Sequence, residues 1–401
     1  MPRQSGEGNP VPPLTPVTIL QIAPELDTGG VERTAVDVAR ACVSHGWRAL
    51  VASQGGRLVA ELEQAGGEHV TLPLASKNPL TILANARALV NLIRSRNVSL
   101  VHARSRAPAW SALIAARVTG VPFVTTYHGA YNQKSALKGL YNSVMARADT
   151  VIANSHFTKR LIAERHACAG DRVTVIHRGS DVTGFARAAI SDDRLDALRA
   201  AWGLGGHERV ILQMARITPW KGQPVTIDAF ARLDPAAHGD CVLILAGDAQ
   251  GRGGYLDALR ARIESHGLGE RVRLTGHCAD VPAAMALACV VAVSSVEPEA
   301  FGRAAVEAQL AGAPVVVSDL GAVPETVLAP PQVTAEQRTG WRVPPGDPGA
   351  LAAALDEALS LDESARKALT DRARAHAAEH FSLHAMCAAT LAVYEDLIPA
   401  V

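Results

Sequence analysis

Thr18–Pro24 reads TILQIAP and Val210–Arg216 reads VILQMAR. Each is an apolar run of strand length interrupted by one glutamine. Each runs into a turn and a helical pattern, GGVERTAVDVARAC (29–42) after the first and ITPWKGQPVTIDAFARL (217–233) after the second. Two such openings, 192 residues apart, predict two domains built alike. The same alternation continues around them. RALVAS (48–53), VSLVHA (98–103), FVTTYH (123–128), TVIANS (150–155) and VTVIHRG (173–179) read as further buried strands of the first half. CVLILAG (241–247), RVRLTG (271–276), CVVAVSS (289–295) and PVVVSD (314–319) do so in the second. Apolar strands separated by helical crossovers are the pattern of parallel sheets covered on both faces. The fold class is therefore α/β, with two doubly wound domains. In such sheets ligands bind beyond the carboxyl ends of the strands, so two domains face to face would enclose a cleft there.

Composition sets the boundaries. Residues 1–16 are polar and Pro-rich, without an apolar h-region, and read as a disordered leader of a cytoplasmic protein. The first domain covers 17–181. A linker covers 182–207, with a short helix, DDRLDALRAAW (192–202), inside it. The second domain covers 208–376. The 401 residues are 48% apolar and 19% charged, the balance of a soluble chain with real cores. No uninterrupted apolar run reaches about 18 residues, so no membrane span is expected. The six cysteines (42, 168, 241, 278, 289, 387) are scattered without a C-x-x-C, as in a reduced chain with buried thiols.

The formal net charge is zero but divided. Residues 1–181 carry 20 Lys+Arg against 12 Asp+Glu, and residues 182–401 carry 19 against 27. Opposite signs suggest that one half faces an anionic partner, although two ordinary solvated surfaces would give the same numbers.

The chemistry concentrates at strand ends. In EPEAFGRAAVEAQLAGAP (297–314), Glu299 precedes a helix that should begin near Phe301 and Gly302, and Glu307 lies inside it. Were the whole stretch helical, the carboxylates would sit roughly 80° and about 12 Å apart, so they would serve two parts of an elongated ligand. Bare backbone N–H groups at Gly302 suit a phosphate or a sugar hydroxyl. A carboxylate such as Glu307 among alanines can accept both hydroxyls of a ribose diol, or can simply be a solvated glutamate on a helix face. In ARITPWKG (215–222), Arg216 and Lys221 offer a planar fork and a point charge to a diphosphate. Gly29 and Gly30 permit close backbone approach before a helix, and equally make a plain tight turn. His128 and Gly129 end a strand, where a histidine can meet a ligand or be structural.

Three patterns are missing. No D-x-D pair presents itself for a divalent cation, and no G-x-x-x-x-G-K-[ST] loop is present, which argues against a P-loop kinase or ATPase. G-x-G-x-x-G is also lacking, so a dehydrogenase fingerprint is absent. His376, His380 and His384 are spaced like a stripe but read as a solvated helix face.

The order Gly-Gly-Val-Glu-Arg, Tyr-His-Gly, Asn154-Ser155, Arg216…Lys221-Gly222, Leu245-Ala246-Gly247-Asp248 and Glu299-x-Phe-Gly…Glu307 resembles glycosyltransferase family 4. GWRVPPGDPGALAAAL (340–355) and HFSLHAMCAATLAVYEDLI (380–398) resemble it too. The resemblance spans roughly 17 to 397. It implies a GT-B fold: two Rossmann-like domains facing across a cleft, with a last helix (377–401) crossing back onto the first. It implies retaining, metal-independent transfer of a hexose from a UDP-, GDP- or ADP-sugar, with no cofactor. Donor binding would fall to Gly30, Gly129, Arg216, Lys221, Gly247, Glu299, Phe301, Gly302 and Glu307. Of these, Arg216, Lys221 and Glu299, together with His128, would carry catalysis. Glu299 would hold the sugar, Glu307 the ribose, and Arg216 and Lys221 the diphosphate.

The first domain would take the acceptor beside Arg104, Arg106, Lys134 and Lys138. Its basic character suggests an anionic acceptor, such as a lipopolysaccharide core, a capsule or a lipid-linked glycan, with peripheral docking at the inner membrane and no nucleic-acid partner. The sequence departs from the family at GDAQGRGGYLDAL (247–259), which places flexible glycines near the nucleotide. A sugar-nucleotide epimerase, a phosphorylase on the same fold, or an inactive sugar-nucleotide-binding subunit are the competing readings.

Overall fold

The computed structural model describes residues 16–27, 30–129, 131, 133 and 135–398. The expected leader lies outside these residues except for Pro16, as do Gly29 and Lys134. Among the described residues, thirteen strands form two sheets. In chain order they are β1 (Thr18–Ile22), β2 (Arg48–Ser53), β3 (Glu68–Thr71), β4 (Leu100–Ala103), β5 (Phe123–Tyr127), β6 (Thr150–Ala153) and β7 (Val173–Val175). The second half adds β8 (Arg209–Met214), β9 (Cys241–Ala246), β10 (Val272–Gly276), β11 (Ala288–Val293), β12 (Val315–Ser318) and β13 (Trp341–Val343). The sheet orders are β3-β2-β1-β4-β5-β6-β7 and β10-β9-β8-β11-β12-β13. The two opening stretches, β1 and β8, hold the same inner place, each between its next strand and a later one. The pairs β1·β2, β1·β4, β8·β9 and β8·β11 are all parallel. These are two Rossmann-like parallel-sheet domains.

Two strands lacked a sequence signal. β3 (EHVT) has no fully buried residue, and β13 (WRV) is three residues long. Both lie at sheet edges, where one flank needs no partner and the apolar run can be short. The inner strands follow apolar runs that are buried along nearly their whole length, whereas the edge strands β7 and β10 carry readable runs although each fully buries only its first residue.

Two compact units divide the chain. The first comprises the residues up to Thr126, Leu140–Val151 and the chain from Thr390 on; the second comprises Tyr127–Gly139 and Ile152–Ala389. In the first unit, Ile19, Leu20 and Ile22 are fully buried, and helix Gly30–Ser44 buries Ala35, Val36, Val38, Ala39 and Cys42. His102, on β4, is fully buried; its Nδ1 lies 2.5 Å from the Tyr394 hydroxyl and its Nε2 2.7 Å from Thr126 Oγ1. In the second unit, one cluster joins Val210, Leu212, Val291 and Val293 to Phe301, Val306 and Phe381. A second cluster covers the other face through Ile211, Leu243, Phe230 and Leu355.

Three expectations are corrected. The histidine stripe is not one solvated face: the helix Glu363–His380 ends at Phe381, and His384 belongs to the next helix, Leu383–Leu397. His376 is half-buried with its ring 5.5 Å from that of Phe381. Not all thiols are buried, since Cys168 is exposed. In GDAQGRGGYLDAL, Gly253 and Gly254 form the first turn of the helix Gly253–Ser265; Gln250 and Gly251 alone take positive φ.

Candidate functional site

A cavity of about 600 Å³ lies in the second unit at the carboxyl ends of β8 and β11. Its floor starts at the exit of β8. Gly247, just after β9, presses on that exit: a Cβ there would lie 1.8 Å from Ala215 O and 3.1 Å from Arg216 N. Only glycine fits, and the two strand ends are further tied by Ile217 N donating to Asp248 O at 3.0 Å. Arg216 thereby leaves the sheet with an exposed side chain on the cavity wall.

Lys221 follows in a single 3-10 turn, Pro219–Lys221, closed by Gly222 in the left-handed region (φ +69°). A Cβ on Gly222 would lie 1.9 Å from Ser294 O, so the turn is seated directly on the exit of β11. Buried Gln213 fixes it from below, its Nε2 donating to Lys221 O (2.7 Å) and to Ser294 Oγ (3.0 Å). The Lys221 ammonium stands 4.2 Å from the Trp220 ring centroid and donates to Glu299 Oε1. Ser295 Oγ donates to the same oxygen at 2.6 Å.

The backbone of Glu299 is anchored by Ala322 N donating to Glu299 O (2.8 Å) and by an isolated bridge to Gly321. Phe301 is 3% exposed and plugs the core against Phe381, ring centroids 5.5 Å apart. Gly302 then takes φ +88° as the cap of helix Arg303–Ala311. The helix thus begins two residues past Phe301, and Glu299 precedes it. Glu307, one turn in, is 6% exposed, and Arg303 grips its Oε1 through Nε (2.8 Å) and Nη2 (2.6 Å). It is a buried, paired carboxylate, not a solvated one.

His128 and Gly129 also line the cavity, as do Asn154 and Arg178. Ser155 Oγ donates to Ala300 O at 2.8 Å, linking the start of helix His156–Arg165 to the Glu299 loop. Glu325 holds that same helix start. Its carboxylate accepts from His156 N (2.7 Å) and Phe157 N (2.6 Å), and its Oε2 lies 3.3 Å from His177 Nε2. Burial would raise the Glu325 carboxyl; the His177 contact and the two backbone N–H groups outweigh it and hold it below the usual range. Candidate ligand atoms of His156, His177 and Glu325 lie within 4.8 Å of one another, the spacing of a cation site. With both Glu325 oxygens already accepting from the helix start, its evident task is to cap that helix.

The structure therefore brings Arg216, Lys221, Glu299, Phe301, Gly302, Glu307, His128 and Gly129 into one cavity, with Gly247 supporting it from behind. Gly30, Arg104 and Arg106 belong to the first unit. Arg104 is 2% exposed, with Nε donating to Gln21 Oε1 at 2.6 Å; Arg106 donates to Asn142 Oδ1 at 2.9 Å. Lys138 is exposed. Sequence reasoning missed Arg178, Trp220, Ser295, Arg303 and Glu325. Arg303 was within reach, because residues four apart on a helix are neighbours. Arg178, just past a strand, was within reach of the strand-end rule. Ser295 and Glu325 gave no local signal.

With this geometry in view, the comparisons with known proteins fall into place. The sequence pattern of Glycosyltransferase Family 4 matches residues 28–183, and that of Glycosyl transferases group 1 matches residues 196–376. The D-inositol 3-phosphate glycosyltransferase of Jonesia denitrificans is 30% identical over 313 residues, covering 74% of this chain and 71% of that protein. The chain belongs to glycosyltransferase family 4. Across curated relatives with that activity in their name, the match covers 50% to 71% of their length. The crystal structure of a glycosyltransferase from Rickettsia africae superposes with a TM-score of 0.87 at 31% identity, over 97% of this chain and all of that one. Anabaena HepE, solved with UDP and glucose, gives 0.80 at 26% identity, over 95% of this chain and 100% of its own. The chain is a glycosyltransferase of the GT-B type. No helix of the described residues is long and apolar enough to cross a membrane.

Proposed function

We propose that the enzyme moves a hexose from a nucleoside diphosphate sugar to an acceptor hydroxyl, with retention of the anomeric configuration and without a metal ion. The observation that carries this reading is the single cavity that gathers Arg216, Lys221, Glu299 and the Gly302 helix start. Arg216 and Lys221 supply positive charge to a leaving diphosphate, and preorganised charge at a leaving group lowers the barrier by several kcal/mol. Lys221 is already paired with Glu299. A bound diphosphate would share Lys221, while Glu299 would turn its remaining oxygen to the sugar hydroxyls. The phosphate leaving group takes the acceptor proton, so no side chain need form a covalent intermediate. Glu307 would hold the ribose and His128 would lie near the transferred sugar. HepE, with UDP and glucose bound in its crystal, supports a uridine donor.

For the acceptor, the relatives support an inositol phosphate. The basic first half, 20 Lys+Arg against 12 Asp+Glu, supports an anionic acceptor more broadly, including a cell-surface glycan or lipopolysaccharide precursor presented at an inner-membrane surface. The test is product analysis. Purified enzyme is given UDP-, GDP- and ADP-hexoses with inositol phosphate or lipid-linked glycan acceptors, with and without EDTA. The expected result is a glycosylated acceptor of retained configuration, insensitive to EDTA. An inverted product, loss of activity with EDTA, or interconversion of donor without acceptor would each overturn the corresponding part.

A further inference from the structure

Arg303 is not part of the pattern that marks the site, yet it contacts the one carboxylate read as the ribose ligand. Its side chain is 39% exposed on the cavity wall, and it reaches one turn along the helix to Glu307. Both of its contacts go to the same oxygen, Oε1, at 2.8 Å and 2.6 Å. Among the described residues no hydrogen bond reaches Oε2. Around Glu307 the helix offers buried Ala305, Val306, Ala308 and Leu310, none able to donate from a side chain, and buried Gln309, whose amide is committed to Ala305 O and Thr326 O. A carboxylate buried in that setting needs a partner to offset its desolvation and to hold it in one rotamer.

We propose that Arg303 is a positioning residue for nucleotide recognition. It immobilises Glu307 through Oε1 and leaves Oε2 directed to the cavity as the acceptor for the ribose hydroxyls. The inference rests on the reading of Glu307 as the ribose ligand. It makes ribose preference a joint property of two residues four apart on one helix. Arg303 need not touch the nucleotide itself.

Titration calorimetry of UDP against 2′-deoxyUDP, repeated with the GDP and ADP pairs, tests this. Wild-type enzyme is expected to prefer the ribonucleotide by about tenfold or more, the worth of a hydrogen bond to a charged acceptor. Glu307→Gln brings the pair near parity. Arg303→Met does likewise, with 2′-deoxyUDP affinity within about threefold of wild type, since only the hydroxyl contact is weakened. Arg303→Lys regains part of the preference, and in turnover assays Arg303→Met raises the donor KM while leaving kcat in place.

If Glu307→Gln loses the preference and Arg303→Met keeps it, the Arg303 proposal fails and the ribose reading stands. If Arg303→Met weakens both nucleotides equally, Arg303 binds the phosphates directly and the positioning role is wrong. If Glu307→Gln keeps the preference, the ribose reading itself is wrong. Wild-type enzyme that binds none of the three diphosphates, or binds them without preference, overturns both. Because each comparison is a ratio within one variant, a modest loss of folded protein does not blur it.

Discussion

Gln21 and Gln213 occupy matching places in two sheets and are put to different uses. Each lies near the end of the strand that opens its half, and both are buried, at 0% and 2% exposure. In the first unit Gln21 faces inward on the fold: Nε2 donates to Ala35 O (2.9 Å) and Oε1 accepts from the buried Arg104. In the second, Gln213 spends its amide on the carbonyl of Lys221 and on Ser294, while its Oε1 has no partner among the described residues. The residue after the neighbouring strand differs in step, Arg104 after β4 and Ser294 after β11. One half uses its central glutamine to hold a buried arginine. The other uses it to seat the loop that brings a cation to the cavity. Sheet order repeats between the halves; what each strand end carries does not.

The largest effect should come from the cation itself. Lys221→Ala is expected to lose about 10²–10³ in kcat, the usual cost of removing one charge that stabilises a leaving group. Its far-ultraviolet circular dichroism should remain that of wild type. Turnover within about threefold of wild type would break the contrast between the halves, since the second loop would then be structural too.

Next is the glycine that clears the way for Arg216. The first half has Ser53 where the second has Gly247, and Ser53 uses its side chain locally, accepting from Gly55 N at 3.0 Å. At Gly247 a Cβ would meet backbone, which cannot swing aside. Gly247→Ala should destabilise by about 1–3 kcal/mol, the range for overpacking, and lower turnover by moving Arg216. Chemical denaturation and donor kinetics measure the two parts. An unchanged midpoint would mean that the strand exits are looser than they stand.

The glutamines themselves separate stability from activity. Gln21→Leu takes an acceptor from buried Arg104 and should cost about 2 kcal/mol of folding stability, with kcat of the folded fraction unchanged. Gln213→Leu should cost about 1 kcal/mol but raise donor KM or lower kcat several-fold, because Lys221 loses its seat. Equal effects on activity from both substitutions would show that the contrast is not functional.

What the sequence displayed and what it hid divide along physical lines. Strands buried on both faces are apolar runs and could be read directly, as could Gly302 and Glu299 at a helix start. The edge strands β3 and β13 could not, because EHVT and WRV offer no apolar run of strand length. The pairing of Lys221 with Glu299 joins residues far apart in the chain and follows only from the way β8 and β11 lie side by side. Glu325 capping the helix at His156 is likewise a product of tertiary structure. Arg303 with Glu307 was the exception, a local pair at helical spacing.

The smallest effect concerns a second contrast, between a histidine of each unit. His102 in the first unit is fully buried with both ring nitrogens engaged. His376 in the second has no partner for Nε2 among the described residues, and burial, with the nearby His380, pushes its pKa down to about 4. A histidine whose folded pKa lies below its unfolded value of 6.5 takes up fewer protons folded than unfolded between the two. Stability from this residue is therefore whole above pH 6.5, declines as the pH falls through the window, and is lost by about pH 4. Because His376 is only partly buried, solvent discounts the effect to about 1 kcal/mol. Differential scanning calorimetry of wild type and His376→Leu at pH 7 and pH 5 isolates it from the carboxylates, which titrate lower. The variant should lose less Tm on acidification than wild type. Parallel losses would mean that His376 is hydrated in solution and that the second unit tolerates its unpaired ring as readily as the first satisfies His102.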